Sequence, residues 1–100
     1  MYLILNFDIG PGKMNECDNF IREKLVPYWT SHKEVHSVQC LEDMFIGWPE
    51  RSILIEVDDL SAIQRILSSR ETHKMKEDFL TYATDIRTQI MNVSLQQANK

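Results

Sequence analysis

The sequence predicts an α+β domain of order β-α-β-β-α-β, with a four-stranded antiparallel sheet, both helices on one face, and the second helix broken in two. Short runs rich in Leu, Ile, Val and Phe recur along the chain, each bounded by glycine, proline or aspartate. Between them the apolar spacing changes from every second residue to every third or fourth. The three glycines, Gly10, Gly12 and Gly47, all fall at candidate turns, and no linker divides the chain.

Met1–Ile9 reads as the first strand, ended by Gly10-Pro11-Gly12. A helix follows from about Lys13 to Trp29, with Met14, Cys17, Phe20, Ile21, Leu25, Tyr28 and Trp29 on its apolar stripe. Pro27 removes a backbone donor and crowds the preceding turn, so it should kink this helix or open a separate last turn. Val35–Met44 is the second strand, Gly47-Trp48-Pro49 a turn, and Arg51–Val57 the third strand. Asp58 or Asp59 can cap a short helix carrying Leu60, Ile63, Ile66 and Leu67. Ser68 with Glu71 makes a capping box that restarts the helix in a new direction, running to about Thr84. Ile86–Leu95 is the fourth strand, so residues 1–95 form one domain and 96–100 a frayed tail. This is the ferredoxin-like pattern.

Side chains alternate across a strand. Leu3, Leu5, Phe7 and Ile9 share one face of the first strand, and Ile53, Ile55 and Val57 one face of the third; these meet the helices. The other face is mixed, carrying Tyr2, Ile4, Leu54, Met91 and Leu41 beside Asn6, Asp8 and Glu56. A sheet with one face in water should be polar there. Leaving these groups wet forfeits ~1.5–3 kcal/mol each relative to burial. A second copy of the chain laid on this face removes the problem, and a two-fold homodimer is the expected assembly.

Net charge is −4 and no run of five or more Lys or Arg exists, which argues against a nucleic-acid or anionic-membrane partner. The N-terminal apolar run is too short to span a bilayer and lacks the marks of a signal peptide, so a cytoplasmic protein is expected. The two cysteines, Cys17 and Cys40, read as reduced packed thiols. Neither has a CxxC partner or an adjacent base, so thiol catalysis is not indicated.

The element order, the segment Ile53-Leu54-Ile55-Glu56-Val57-Asp58-Asp59-Leu60-Ser61-Ala62-Ile63 and the following Leu67-Ser68-Ser69-Arg70-Glu71-Thr72-His73-Lys74 resemble the dimeric α/β-barrel superfamily. That group includes the antibiotic-biosynthesis monooxygenase-like and stress-responsive barrel proteins. The resemblance implies two sheets packed face to face, with a cavity beside each sheet, and either small-molecule binding or cofactor-independent oxygenase or isomerase chemistry. Asn6 matches the position of the active Asn in a haem-degrading branch. That branch also has a Trp early in the second helix region, whereas the tryptophans here are Trp29 and Trp48, and His73 falls several residues too early. His73, between Arg70 and Lys74, reads most simply as an exposed helix residue.

The candidate catalytic residues are Glu56 or His36 as general base, with Asn6 orienting a substrate oxygen. A carboxylate in a partly apolar cavity has the raised pKa such a base needs. The same polar residues could instead be a hydrogen-bonded set at the dimer interface. The candidate ligand-binding residues are Tyr2, Gln39, Trp29 and Trp48, the tryptophans because aromatic rings at element ends can line a pocket mouth. His32 and His36 lie four apart but on a loop and a strand, with no third ligand nearby; no metal and no cofactor are expected.

Overall fold

A computed structural model describes residues 1–98. The elements are β1 (Tyr2–Ile9), α1 (Met14–Phe20), a π-helical turn (Ile21–Leu25), α2 (Val26–Thr30), β2 (Val35–Glu42), β3 (Arg51–Val57), α3 (Leu60–Leu67), α4 (Arg70–Phe79) and β4 (Ala83–Met91). The strands form one antiparallel sheet in the order β2-β3-β1-β4, with the helices on one face.

The first helix runs unbroken from α1 through the π turn into α2. Proline stands just inside the start of α2. Its missing N–H and its ring cannot be fitted to a regular preceding turn, and the wider π turn immediately upstream absorbs the misfit. The second helix is divided at Ser68–Ser69. Asp59 caps α3 by accepting from the Ala62 N–H at 2.8 Å. Ser69, rather than Ser68, caps α4 by accepting from the Thr72 N–H. The capping box expected from Ser68 and Glu71 is thus displaced by one residue, because the Ser68 hydroxyl folds back onto the Gln64 carbonyl.

Strand lengths follow their partners. β2 ends at Glu42, not Met44, because its partner β3 begins opposite at Arg51 and the Asp43 N–H closes the loop on the Glu50 carbonyl. β4 spans residues 83–91, not 86–95. The last rung of β1 is Tyr2–Met91, so Val93 and Leu95 lie beyond the sheet. Its early start follows from Ile9 pairing with Ala83 after α4 ends at Phe79, earlier than the expected Thr84. The Gly10 N–H donates to the Tyr82 carbonyl at 2.7 Å, and a Cβ on Gly10 would meet that oxygen at 3.1 Å. Bulges interrupt β4 near Asp85, which has a positive φ of 50°, and β2 at His36. Of the expected tail, residues 96–98 carry no regular structure, while 99 and 100 lie outside the described residues.

The core lies between the sheet and the helices. Leu3, Phe7, Ile53 and Ile55 are fully buried under Cys17, Leu25, Ile63 and Ile66. Phe79 meets Phe7 edge-on at 4.8 Å between ring centroids and stacks on Phe20 at 5.9 Å. Met14, assigned to the stripe by its spacing, is half exposed because it opens the helix beyond the sheet's end. Arg51 takes the inward phase of β3 and is 7% exposed. Its guanidinium reaches Asp18 on α1 at 3.3 Å and Glu42 on β2 at 3.1 Å.

Candidate functional site

The inward face of the sheet is incompletely covered. On β1, Leu3 and Phe7 are sealed, but Leu5 between them is only half-buried. It opens into a cavity of about 550 Å³ between the sheet and the helices. The apolar walls are Leu5, Leu25, Trp29, Phe79 and Ile86. At the mouth stand His73, Lys76 and Glu77 of α4 and Thr88 of β4. The volume falls within the range of about 300–1,000 Å³ usual for small-molecule sites.

Two local features shape this cavity. Divided helices set α4 at its own angle, and the Tyr28 hydroxyl ties it to the first helix through Ser69 and Thr72. Thr72 also donates to the Ile66 carbonyl at 2.6 Å, so its hydroxyl is committed to holding the helix break. The π turn sets the phase of α2, which carries Trp29 into the core, 3% exposed, and onto the cavity wall.

The opposite face holds a different arrangement. Ser52 Oγ donates to Asn6 Oδ1 at 2.7 Å, and Asn6 Nδ2 donates to Gln89 Oε1 at 2.8 Å. This chain of hydrogen bonds crosses β3, β1 and β4 and satisfies Asn6, which is 8% exposed. Next to it the Arg87 guanidinium lies over the Trp48 ring, 4.6 Å from its centroid. Trp48, Leu41 and Ser52 line a shallow depression of about 260 Å³ there.

The residues singled out from sequence divide between these regions. Asn6 and Glu56 share the outer face on neighbouring strands, but Asn6 pairs with Ser52 and Glu56 with Tyr2. Four residues of strand, roughly 13 Å, separate them. Glu56 Oε1 accepts from Ser37 Oγ at 3.3 Å. His36 sits in the β2 bulge and bonds Asp58, while His32 Nδ1 meets the Tyr28 carbonyl at 3.0 Å, so the two histidines serve different partners. Tyr2 and Gln39 lie on the outer face by register, and Trp48 beside it. Among the candidates, Trp29 alone lines the 550 Å³ cavity.

Two features escape a reading of the sequence. Arg51 stands in phase with Ile53, Ile55 and Val57, and that alternation is the signal that places it inward. His73 is exposed, as expected, but His73, Lys76 and Phe79 recur at three-residue steps on α4 and so share one side of that helix. Desolvation, with the Asp18 charge beside it, pushes the Cys17 thiol up to about 11, and desolvation also raises Cys40. Both therefore hold their protons at neutral pH, as unactivated thiols do.

No family model and no curated protein matches the sequence. Solved structures do match in fold. SnoaB, a cofactor-independent oxygenase from Streptomyces nogalater, in a mutant form, superposes with a TM-score of 0.81 at 8% identity, covering 98% of this chain and 96% of that one. The fold is that of the antibiotic-biosynthesis monooxygenase-like, ferredoxin-like proteins. An antibiotic biosynthesis monooxygenase gives a TM-score of 0.73 at 16% identity, over 94% of this chain and 98% of that one. An ethyl tert-butyl ether D family protein from Bacillus halodurans C-125 also gives 0.73, at 11% identity, over 93% and 98%. The range of these proteins makes the likeness a statement about architecture. No helix among the described residues is long and apolar enough to cross a membrane.

Proposed function

We propose that this chain is a homodimeric binding protein for a small apolar or aromatic molecule, held in the cavity between sheet and helices. The observation that carries this reading is the gap over Leu5: a core otherwise sealed at Leu3 and Phe7 leaves about 550 Å³ unfilled beside Trp29 and Ile86. A void lined by apolar groups forfeits packing contacts, and a ligand restores them. The test is titration with an apolar fluorescent dye in a Trp48→Phe background, read by quenching of Trp29. Saturable quenching that Ile86→Trp abolishes is the expected result. Quenching indifferent to Ile86→Trp, or none at all, overturns the reading.

The second copy is placed on the outer face. Leu41 and Met91 are about half exposed in the single chain, and Ile4 and Leu54 are incompletely covered. The Ser52–Asn6–Gln89 chain supplies a polar centre already satisfied from within, which an interface tolerates without desolvation cost. Light scattering should give twice the 11.8 kDa chain mass. Ile4→Lys or Leu54→Lys should weaken association by at least about tenfold, since each buries a charge at the centre of the contact. A strictly monomeric wild-type chain at micromolar concentration would remove the dimer.

A second reading is a cofactor-independent monooxygenase or isomerase. It draws on the likeness to SnoaB and on the polar set of the outer face, with Glu56 or His36 as base and Asn6 as orienting group. Turnover of an aromatic polyketide-like substrate under air, lost in Glu56→Gln or His36→Gln, supports it. Turnover unchanged in both variants removes the proposed base.

A further inference from the structure

We propose that the occupant of the sheet–helix cavity is an amphipathic monocarboxylate, its apolar body against Leu5, Trp29 and Ile86 and its carboxylate at the mouth between His73, Lys76 and Thr88. The proposal rests on the reading of this cavity as a ligand site and adds the chemistry of the head group.

The polar groups at the mouth are distributed unevenly. His73 and Lys76 are three residues apart on α4, one turn of the same side, and Thr88 faces them from β4. Among the described residues none of these three side chains makes a hydrogen bond or an ion pair within the chain. Other polar side chains nearby are engaged: Thr72 holds Ile66 and Tyr28, and Ser69 caps α4. Three donors without partners therefore ring the opening of an otherwise apolar cavity, with Glu77 as the one acid among them. The chain as a whole is acidic, at net charge −4, so a cationic pair at this mouth runs against the general balance.

Donors gathered at the rim of an apolar pocket match an acceptor-only head group. A carboxylate offers two oxygens and can accept from an ammonium, an imidazole N–H and a hydroxyl together. Such charge-assisted bonds are shorter and stronger than those to a neutral hydroxyl. A long-chain alcohol can donate to Glu77 but leaves most of the donors unmet. A dianion or phosphate would bring more charge than one lysine and one histidine offset, with Glu77 close by. A single carboxylate on an apolar body is the ligand class that satisfies both halves of the site.

The experiment compares decanoate with 1-decanol, measured by displacement of the apolar dye from wild type, Ile86→Trp and the double variant His73→Gln/Lys76→Gln. Both substituted rim residues are exposed, so the double variant keeps the fold, checked by circular dichroism. Decanoate should bind at least about tenfold tighter than decanol, the double variant should reduce that preference to about twofold or less with decanol unchanged, and Ile86→Trp should lose both. Equal binding of decanoate and decanol to wild type overturns the head-group proposal while leaving the cavity a ligand site. A decanoate preference that survives the double variant also overturns it. Failure of both probes and the dye to bind overturns the cavity reading, and this proposal with it.

Discussion

The two faces of the sheet solve one problem in opposite ways. On the inner face, β1 and β3 present aliphatic and aromatic side chains that the helices cover, and Leu3, Phe7, Ile53 and Ile55 lose all contact with water. On the outer face the same strands present Asn6 and Ser52, satisfied through Gln89, amid Ile4 and Leu54, which the single chain covers only in part. The inner face is held by volume and the outer one by hydrogen-bond geometry. Volume tolerates a gap, as the cavity over Leu5 demonstrates, whereas a buried polar chain tolerates no missing member.

The largest difference should appear on truncating the inner face. Phe7→Ala removes a fully buried ring packed on Phe79 and should cost ~3–5 kcal/mol in urea unfolding. A loss below about 1 kcal/mol would mean that the core collapses around the void and that volume does not govern this face. On the outer face, Asn6→Ala breaks two hydrogen bonds and strands Ser52 and Gln89, at a cost of ~1–3 kcal/mol. Ser52→Ala, which removes one bond, should cost about 1 kcal/mol. If the two variants cost the same, the chain does not act as a unit.

The smallest effect belongs to the rim. Arg65, hydrogen-bonded to Glu34, holds that carboxyl below its ordinary value of 4.5. A depressed folded value means that the stabilisation is present above about 4.5 and disappears as the pH falls through the lowered value. Glu34→Gln should therefore be slightly less stable than wild type at neutral pH, with the two urea midpoints converging in acid. A difference that grows on acidification would contradict the sign.

What the sequence made legible divides along similar lines. Element order and strand faces were readable because alternation and helical spacing are written directly in residues such as Leu3-Leu5-Phe7 and Ile53-Ile55-Val57. Strand ends were not, because they are set by the partner: β4 stops at Met91 only because β1 starts at Tyr2. The helix break was visible at Ser68–Ser69, but which serine caps α4 depends on where the Ser68 hydroxyl turns. Asn6 and Glu56 were correctly placed on one face, yet their separation along it requires the β1–β3 register. The cavity was the least legible feature. Leu5 belongs to the same alternation as Leu3 and Phe7, and only the path of α4 leaves it uncovered.

The π turn at Ile21–Leu25 has a consequence for how this chain tolerates length changes. One residue of helix corresponds to about 100° of rotation and 1.5 Å of advance. Deleting a single residue from this turn would restore a regular helix only by swinging everything beyond it. Tyr28 would leave the end of α4 and Trp29 would leave the wall of the cavity. The irregular turn thus acts as a phase adjuster, and a one-residue deletion there should be more damaging than most substitutions of the same residues.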